Sequence, residues 1–177
     1  MKAQLTSLAV GVALVAVAAT SSVANDHRKK EEVVRARLIS FQEVPSLSTT
    51  AKGSFRAVID EDEGTIEFKL SYADLSSDIT QSHIHFGQRG VNGGVSIFLC
   101  TSLNNGPAGT QTCPPAPAEI SGTIRSADVI GPAGQGITAG EFAEILAAIR
   151  GGVAYANVHT VTFPAGEARG QIEQAQF

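Results

Sequence analysis

Three of the four histidines fall where a fold could bring their rings together. Imidazole is the side chain most apt to hold a transition metal near neutral pH. His83 and His85 stand two apart in Ser82-His83-Ile84-His85-Phe86-Gly87, a run that reads as a strand. Successive strand side chains point to opposite faces, so both imidazoles share one face while Ile84 and Phe86 take the other. Two imidazoles on one face form half of a metal site, or a polar recognition patch. His159 lies in a second strand-like run, residues 153–163, on the face of Val153, Tyr155 and Asn157. Three neutral imidazoles with an open position would suit copper or zinc. Such ligands need partners that fix the tautomer, and Gln81, Asn157, Thr160 and Glu167 are candidates. The alternative is a set of half-buried polar residues without a metal.

Other chemistries find less in the chain. Ser82 and His83 alternate to opposite faces, so they form no direct dyad, and no G-x-S-x-G elbow is present. The glycines of residues 87–94 lack the lysine and following helix of a phosphate loop. Asp60-Glu61-Asp62-Glu63 does not follow calcium-loop spacing and reads as a charged hairpin tip. Cys100 and Cys113 are the only cysteines, and an even count in an exported chain fits a disulfide. That bridge would staple a turn-rich loop, worth roughly 3 kcal/mol by chain entropy. Two soft metal ligands are the rival reading, although this spacing without a nearby histidine matches no usual zinc site.

The elements that must position these residues are mostly strands. Residues 33–41 read as the first, with Val34, Ala36 and Leu38 on one side and Arg35 and Arg37 on the other. Residues 53–60 and 65–72 alternate cleanly, and the acidic turn joins them. Residues 81–86 carry the histidine pair. Residues 95–100 form a continuous apolar run that reads as a central strand, and residues 118–125 alternate again. One helix follows: Thr138 and Glu141 make a capping box, Phe142, Ile145, Leu146 and Ile149 recur at helical spacing, and Gly151-Gly152 ends it. Strands over residues 153–163 and 168–172 close the domain. About seven or eight strands with one late helix predict an all-β fold, an antiparallel Greek-key β-sandwich.

Lys2, the apolar stretch of residues 5–19 and Ser22-Val23-Ala24 read as a secretory signal peptide over residues 1–24, with an uncleaved anchor as the lesser alternative. Residues 25–32 are a polar lead-in, and residues 33–177 the folded domain. No other segment could span a bilayer. Loss of Lys2 takes the formal charge from −4 to −5, which argues against nucleic acid as a partner. The basic cluster His27-Arg28-Lys29-Lys30, followed at once by Glu31-Glu32, reads as a solvated tail, with contact to a membrane or polyanion as the lesser alternative. A sugar-binding platform is poorly supplied, since there is no tryptophan and the tyrosines are only Tyr72 and Tyr155.

Several segments together resemble the CHRD domain, named after chordin. They are Gln42-Glu43-Val44-Pro45, Ala73-Asp74-Leu75, His83-Ile84-His85-Phe86-Gly87, Glu141-Phe142-Ala143-Glu144-Ile145-Leu146, Ala154-Tyr155-Ala156-Asn157-Val158-His159-Thr160 and the ending from Phe163-Pro164-Ala165-Gly166 to Ile172. The resemblance covers residues 33–172. It implies an exported, non-enzymatic binding or structural module whose partner is an extracellular protein or matrix ligand. The chain lacks chordin's cysteine-rich modules, so growth-factor binding is not carried over. The order of a His-x-His strand, a later lone histidine and an arginine before a glycine-containing final strand is also similar to the copper side of copper–zinc superoxide dismutases. That similarity implies His83, His85 and His159 as copper ligands and Arg169 as an anion-attracting residue. No fourth core histidine is available to bridge copper to zinc, and there is no histidine-rich zinc loop.

Overall fold

The computed structural model describes residues 1 and 32–175. The expected signal peptide, apart from Met1, and the lead-in, apart from Glu32, lie outside the described residues. Nine strands and one helix follow in chain order: β1 (Glu32–Ile39), β2 (Lys52–Asp60), β3 (Thr65–Ala73), β4 (Ile79–Phe86), β5 (Gly94–Thr101), β6 (Ala118–Ile124), α1 (Phe142–Arg150), β7 (Ala154–Thr160), β8 (Ala168–Gln171) and β9 (Glu173–Gln174). Every pairing is antiparallel. The strand order is β5-β4-β7-β8-β1-β2-β3-β6, and the two-residue β9 pairs with β1. The chain therefore leaves β6 through α1 and returns β7 between β4 and β8, which is a Greek-key crossing.

The sheet curls around one core, as a sandwich or barrel-like fold. Phe55, Phe68 and Leu70 from one half share a single buried cluster with Ile84, Ile97, Leu99 and Val158 from the other. The period-two readings of β1 and β3 hold: Val34, Ala36, Leu38, Ile66, Phe68, Leu70 and Tyr72 are all buried. The sheet ends, β5 and β6, are joined by Gln111. Its side-chain amide donates to the carbonyls of Leu99 (3.1 Å) and Ser121 (3.2 Å), and its own carbonyl accepts from Thr101 N–H (2.9 Å). The Cys100–Cys113 disulfide is formed and fixes this bridging segment to β5.

Two expectations are corrected. β5 is not central but lies at one end of the strand order. Its apolar run reflects cover on both faces and along its outer edge, where Ile130 N–H donates to Ser96 O (2.9 Å) and the 111 segment bonds Thr101. Thr138 does not cap the helix, which starts four residues later with Glu141 at its N-cap. The Glu141 carboxylate instead accepts Thr138 N–H (2.6 Å), so the pair closes the turn before the helix. Ile145, Leu146 and Ile149 are buried, as the helical spacing requires. The helix end needs Gly152, which takes a left-handed φ of 67°, a conformation glycine adopts without a Cβ clash.

Candidate functional site

The register of β4 on β7 brings the histidines together. His83 lies opposite Asn157, His85 opposite Tyr155 and Gln81 opposite His159. His159 is thus the diagonal cross-strand neighbour of His83, within reach of an imidazole. The alternation of each strand puts all three rings on the face away from the core, while Ile84, Ala156 and Val158 point inward. The rings are nevertheless 2 %, 7 % and 5 % exposed for His83, His85 and His159, because the loops after β4 and β7 fold over them. Phe98 of β5 meets His83 edge-on (4.3 Å between centroids), and Tyr155 stacks on His85 (4.7 Å).

Hydrogen bonding fixes the tautomers. A carbonyl can only accept, so His159 Nδ1–H donates to Pro164 O (3.0 Å) and His85 Nδ1–H donates to Gly93 O (3.0 Å). The Nε2 atom of His159 then carries a lone pair and accepts from His83 Nδ1–H (3.1 Å). Two lone pairs are left over, at Nε2 of His83 and Nε2 of His85, and neither of these buried atoms has a partner. An unsatisfied buried acceptor costs about 1–3 kcal/mol, and such an atom calls for an explanation. Burial, with the neighbouring rings of His159 and His85, pushes His83 down to about 2. Burial brings His85 down to about 4 against the bond to Gly93, and it lowers His159 against the bond to Pro164. All three rings are therefore neutral at pH 7, the state a metal requires.

The ligand atoms of these three residues lie within 4.8 Å of one another. Two nitrogens each about 2.1 Å from one zinc ion can be no more than about 4.2 Å apart. The donor set fits copper or zinc in kind, and the rings must draw together by some tenths of an ångström or more to close on the ion. That closure breaks the His83–His159 hydrogen bond.

The surrounding polar layer holds the loops in place. Arg169, buried on β8, lies over the Tyr155 ring at 3.5 Å from the centroid. Its guanidinium donates to Gln88 O (3.0 Å), Val91 O (2.8 Å) and Asn92 Oδ1 (3.3 Å), so it anchors the loop whose Gly93 carbonyl orients His85. Glu167, fully buried, accepts from Ser76 N–H (2.9 Å), Ser76 Oγ–H (2.5 Å) and Thr160 Oγ1–H (2.8 Å). It thereby ties down the loop carrying Pro164. Burial pushes Glu43 up to about 7, opposed by Arg169 and Asn157, and its Oε1 has no partner.

None of the four side chains expected to orient the histidines does so. Gln81 accepts from Asn105, Thr160 serves Glu167, and the tautomers are set by the backbone carbonyls of Gly93 and Pro164. Backbone carbonyls carry no residue signature, so no pattern in the sequence could have named them. Glu43 sits in the Gln42-Glu43-Val44-Pro45 segment, but nothing in its residue types announces burial. The family described as the CHRD domain matches residues 34–172. No functionally curated protein matches the sequence.

Proposed function

Since this chain belongs to the CHRD domain family, we propose that it is an exported, non-enzymatic binding or structural module that holds one copper or zinc ion on His83, His85 and His159. The observation that carries the metal is the convergence of three neutral imidazoles with two buried, unpartnered lone pairs. Export is supported by the signal-peptide pattern of residues 1–24 and by the formed disulfide, which suits an oxidising compartment. No described helix is long and apolar enough to cross a membrane. The non-enzymatic reading rests on the cover over the rings: at 2–7 % exposure they admit an ion or a water, not a larger substrate. The anion-attracting role of Arg169 belongs to the same proposal. Its charge adds a small contribution to the burial that opposes protonation of His85, and it would draw a small anion to the open coordination position.

A second reading keeps the module and drops the metal. The His83–His159 hydrogen bond favours it, since that bond is complete without an ion. Elemental analysis of tag-free protein separates the two. The proposal expects about one copper or zinc per chain, lost in His83→Ala and His85→Ala. Sub-stoichiometric metal that those substitutions leave unchanged would remove the ion from the account.

A further inference from the structure

We infer that the outer face of β1, β2, β3 and β6 is a docking surface for an acidic polysaccharide. The register sets Arg35 directly opposite Arg56, Arg56 opposite Lys69, and Lys69 opposite Ser121. All three cations are exposed. Like charges directly opposite one another destabilise a sheet, so a face selected for stability alone would not line them up. Among the described residues no ion pair engages Arg35, Arg37 or Arg56, and Lys69 has only a long contact to Glu119 (3.8 Å). Beside this row an open groove of about 250 Å³ is lined by Arg35, Arg37 and Arg89 together with one acid, Glu173. Of the nearby acids, Glu173 lies opposite Arg35 but pairs with Arg89 (2.6 Å), Glu119 ends the adjoining row opposite Ser71, and Glu67 lies one register row away, opposite Val58. A chain with a net charge of −4 thus sets three exposed cations in one unbroken row across a sheet face.

The chemistry of the face selects the ligand. Strands about 4.8 Å apart hold the cation row in fixed, regular spacing across the sheet. Guanidinium groups take carboxylate or sulfate oxygens two at a time. The adjoining register row sets Arg37 opposite Ser54 and Ser54 opposite Ser71, whose hydroxyls lie 2.8 Å apart and can exchange that bond for sugar hydroxyls. Neutral sugars bound by stacking do not fit, because Tyr72 and Tyr155 are both buried. A membrane surface fits less well, because the exposed large apolar residues Phe41, Val91, Leu103, Ile130 and Val161 all lie off these four strands. A single-stranded nucleic acid fits less well, because Phe55, Phe68 and Tyr72 of these strands are buried and offer the bases no stacking platform. The ligand class rests on the reading of the chain as an exported module, but it uses neither the histidines nor a metal.

The test is a titration of metal-free, tag-free protein with polygalacturonate and with dextran sulfate, using neutral dextran as the control. Binding to both acidic polymers is expected, weakening as salt rises. The triple variant R35Q/R56Q/K69Q should bind about tenfold more weakly, as three exposed charge contacts imply, with an unaltered or raised unfolding midpoint. Lys52→Gln, which removes an exposed cation paired with Asp74 outside the row, should stay near wild type. His83→Ala should leave polysaccharide affinity intact, so loss of the metal reading would not touch this one. Absence of binding, or wild-type affinity in the triple variant, overturns the proposal. Tighter binding to phosphatidylglycerol vesicles or to duplex DNA overturns the ligand class.

Discussion

Acidification should destabilise the metal-free protein steeply between pH 6 and pH 5, and the slope can be worked from the buried groups. His83 and His85 are held at about 2 and about 4, against the ordinary 6.5 they regain on unfolding. Their folded-state values are depressed, so the unfolded chain binds protons that the native state refuses. Their contribution is intact above pH 6.5 and is lost as pH falls below it. Glu43 works the other way: its value of about 7 lies above the ordinary 4.5, so the native state holds a proton that the unfolded chain lacks in this window. Two protons gained by the unfolded chain, less one held by the native state, leave a net of one. His159 is also lowered by burial and adds to it. At 1.36 kcal/mol per proton and pH unit, the predicted loss is about 1.4–2.7 kcal/mol per unit. Urea unfolding at fixed pH values measures this. Glu43→Gln removes the opposing proton and should steepen the slope by about 1.4 kcal/mol per unit. A flat profile, or stability that rises on acidification, would refute the buried neutral imidazoles. An unchanged slope in Glu43→Gln would refute a protonated Glu43.

Arg169→Gln should cost about 2–4 kcal/mol, because it strips donors from the carbonyls of Gln88 and Val91 and leaves Tyr155 without its cation. Denaturant unfolding reads the cost, and faster amide exchange confined to the loop after β4 should accompany it. Replacing both cysteines by serine should lower stability by about 3 kcal/mol through loss of the closed loop between residues 100 and 113. A change below 1 kcal/mol in the same assay would show that the Gln111 bridge fixes this segment without the covalent bond.

The legible parts of the molecule are those governed by side-chain periodicity. Ile66, Phe68, Leu70 and Tyr72 alternate with polar residues, so β3 and its buried face follow from the residues alone. The same rule placed His83 with His85 and put His159 on the face of Tyr155 and Asn157. What periodicity cannot supply is the pairing of β4 with β7, since nothing local joins residues about 75 apart in the chain. It also misreads β5, whose Ile97, Leu99 and Cys100 are buried in the common core although only β4 flanks it, its other edge being covered by the segments of Ile130 and Gln111. The start of α1 eluded a capping rule because Glu141 satisfies Thr138 within a turn, leaving the helix proper to begin at Phe142. The cover over the site is illegible in the sequence for a similar reason. It is made by loop carbonyls, and by an arginine on β8 whose bonds span some 80 residues of sequence.

Anomalous diffraction from crystals of the tag-free protein grown with copper(II) or zinc(II) reaches the central claim most directly. One peak per chain is predicted, bonded to ring nitrogens of His83, His85 and His159 at about 2.0–2.1 Å for zinc, with His159 still donating to the Pro164 carbonyl. An ion seated elsewhere on the chain, with the His83–His159 hydrogen bond intact, would contradict it.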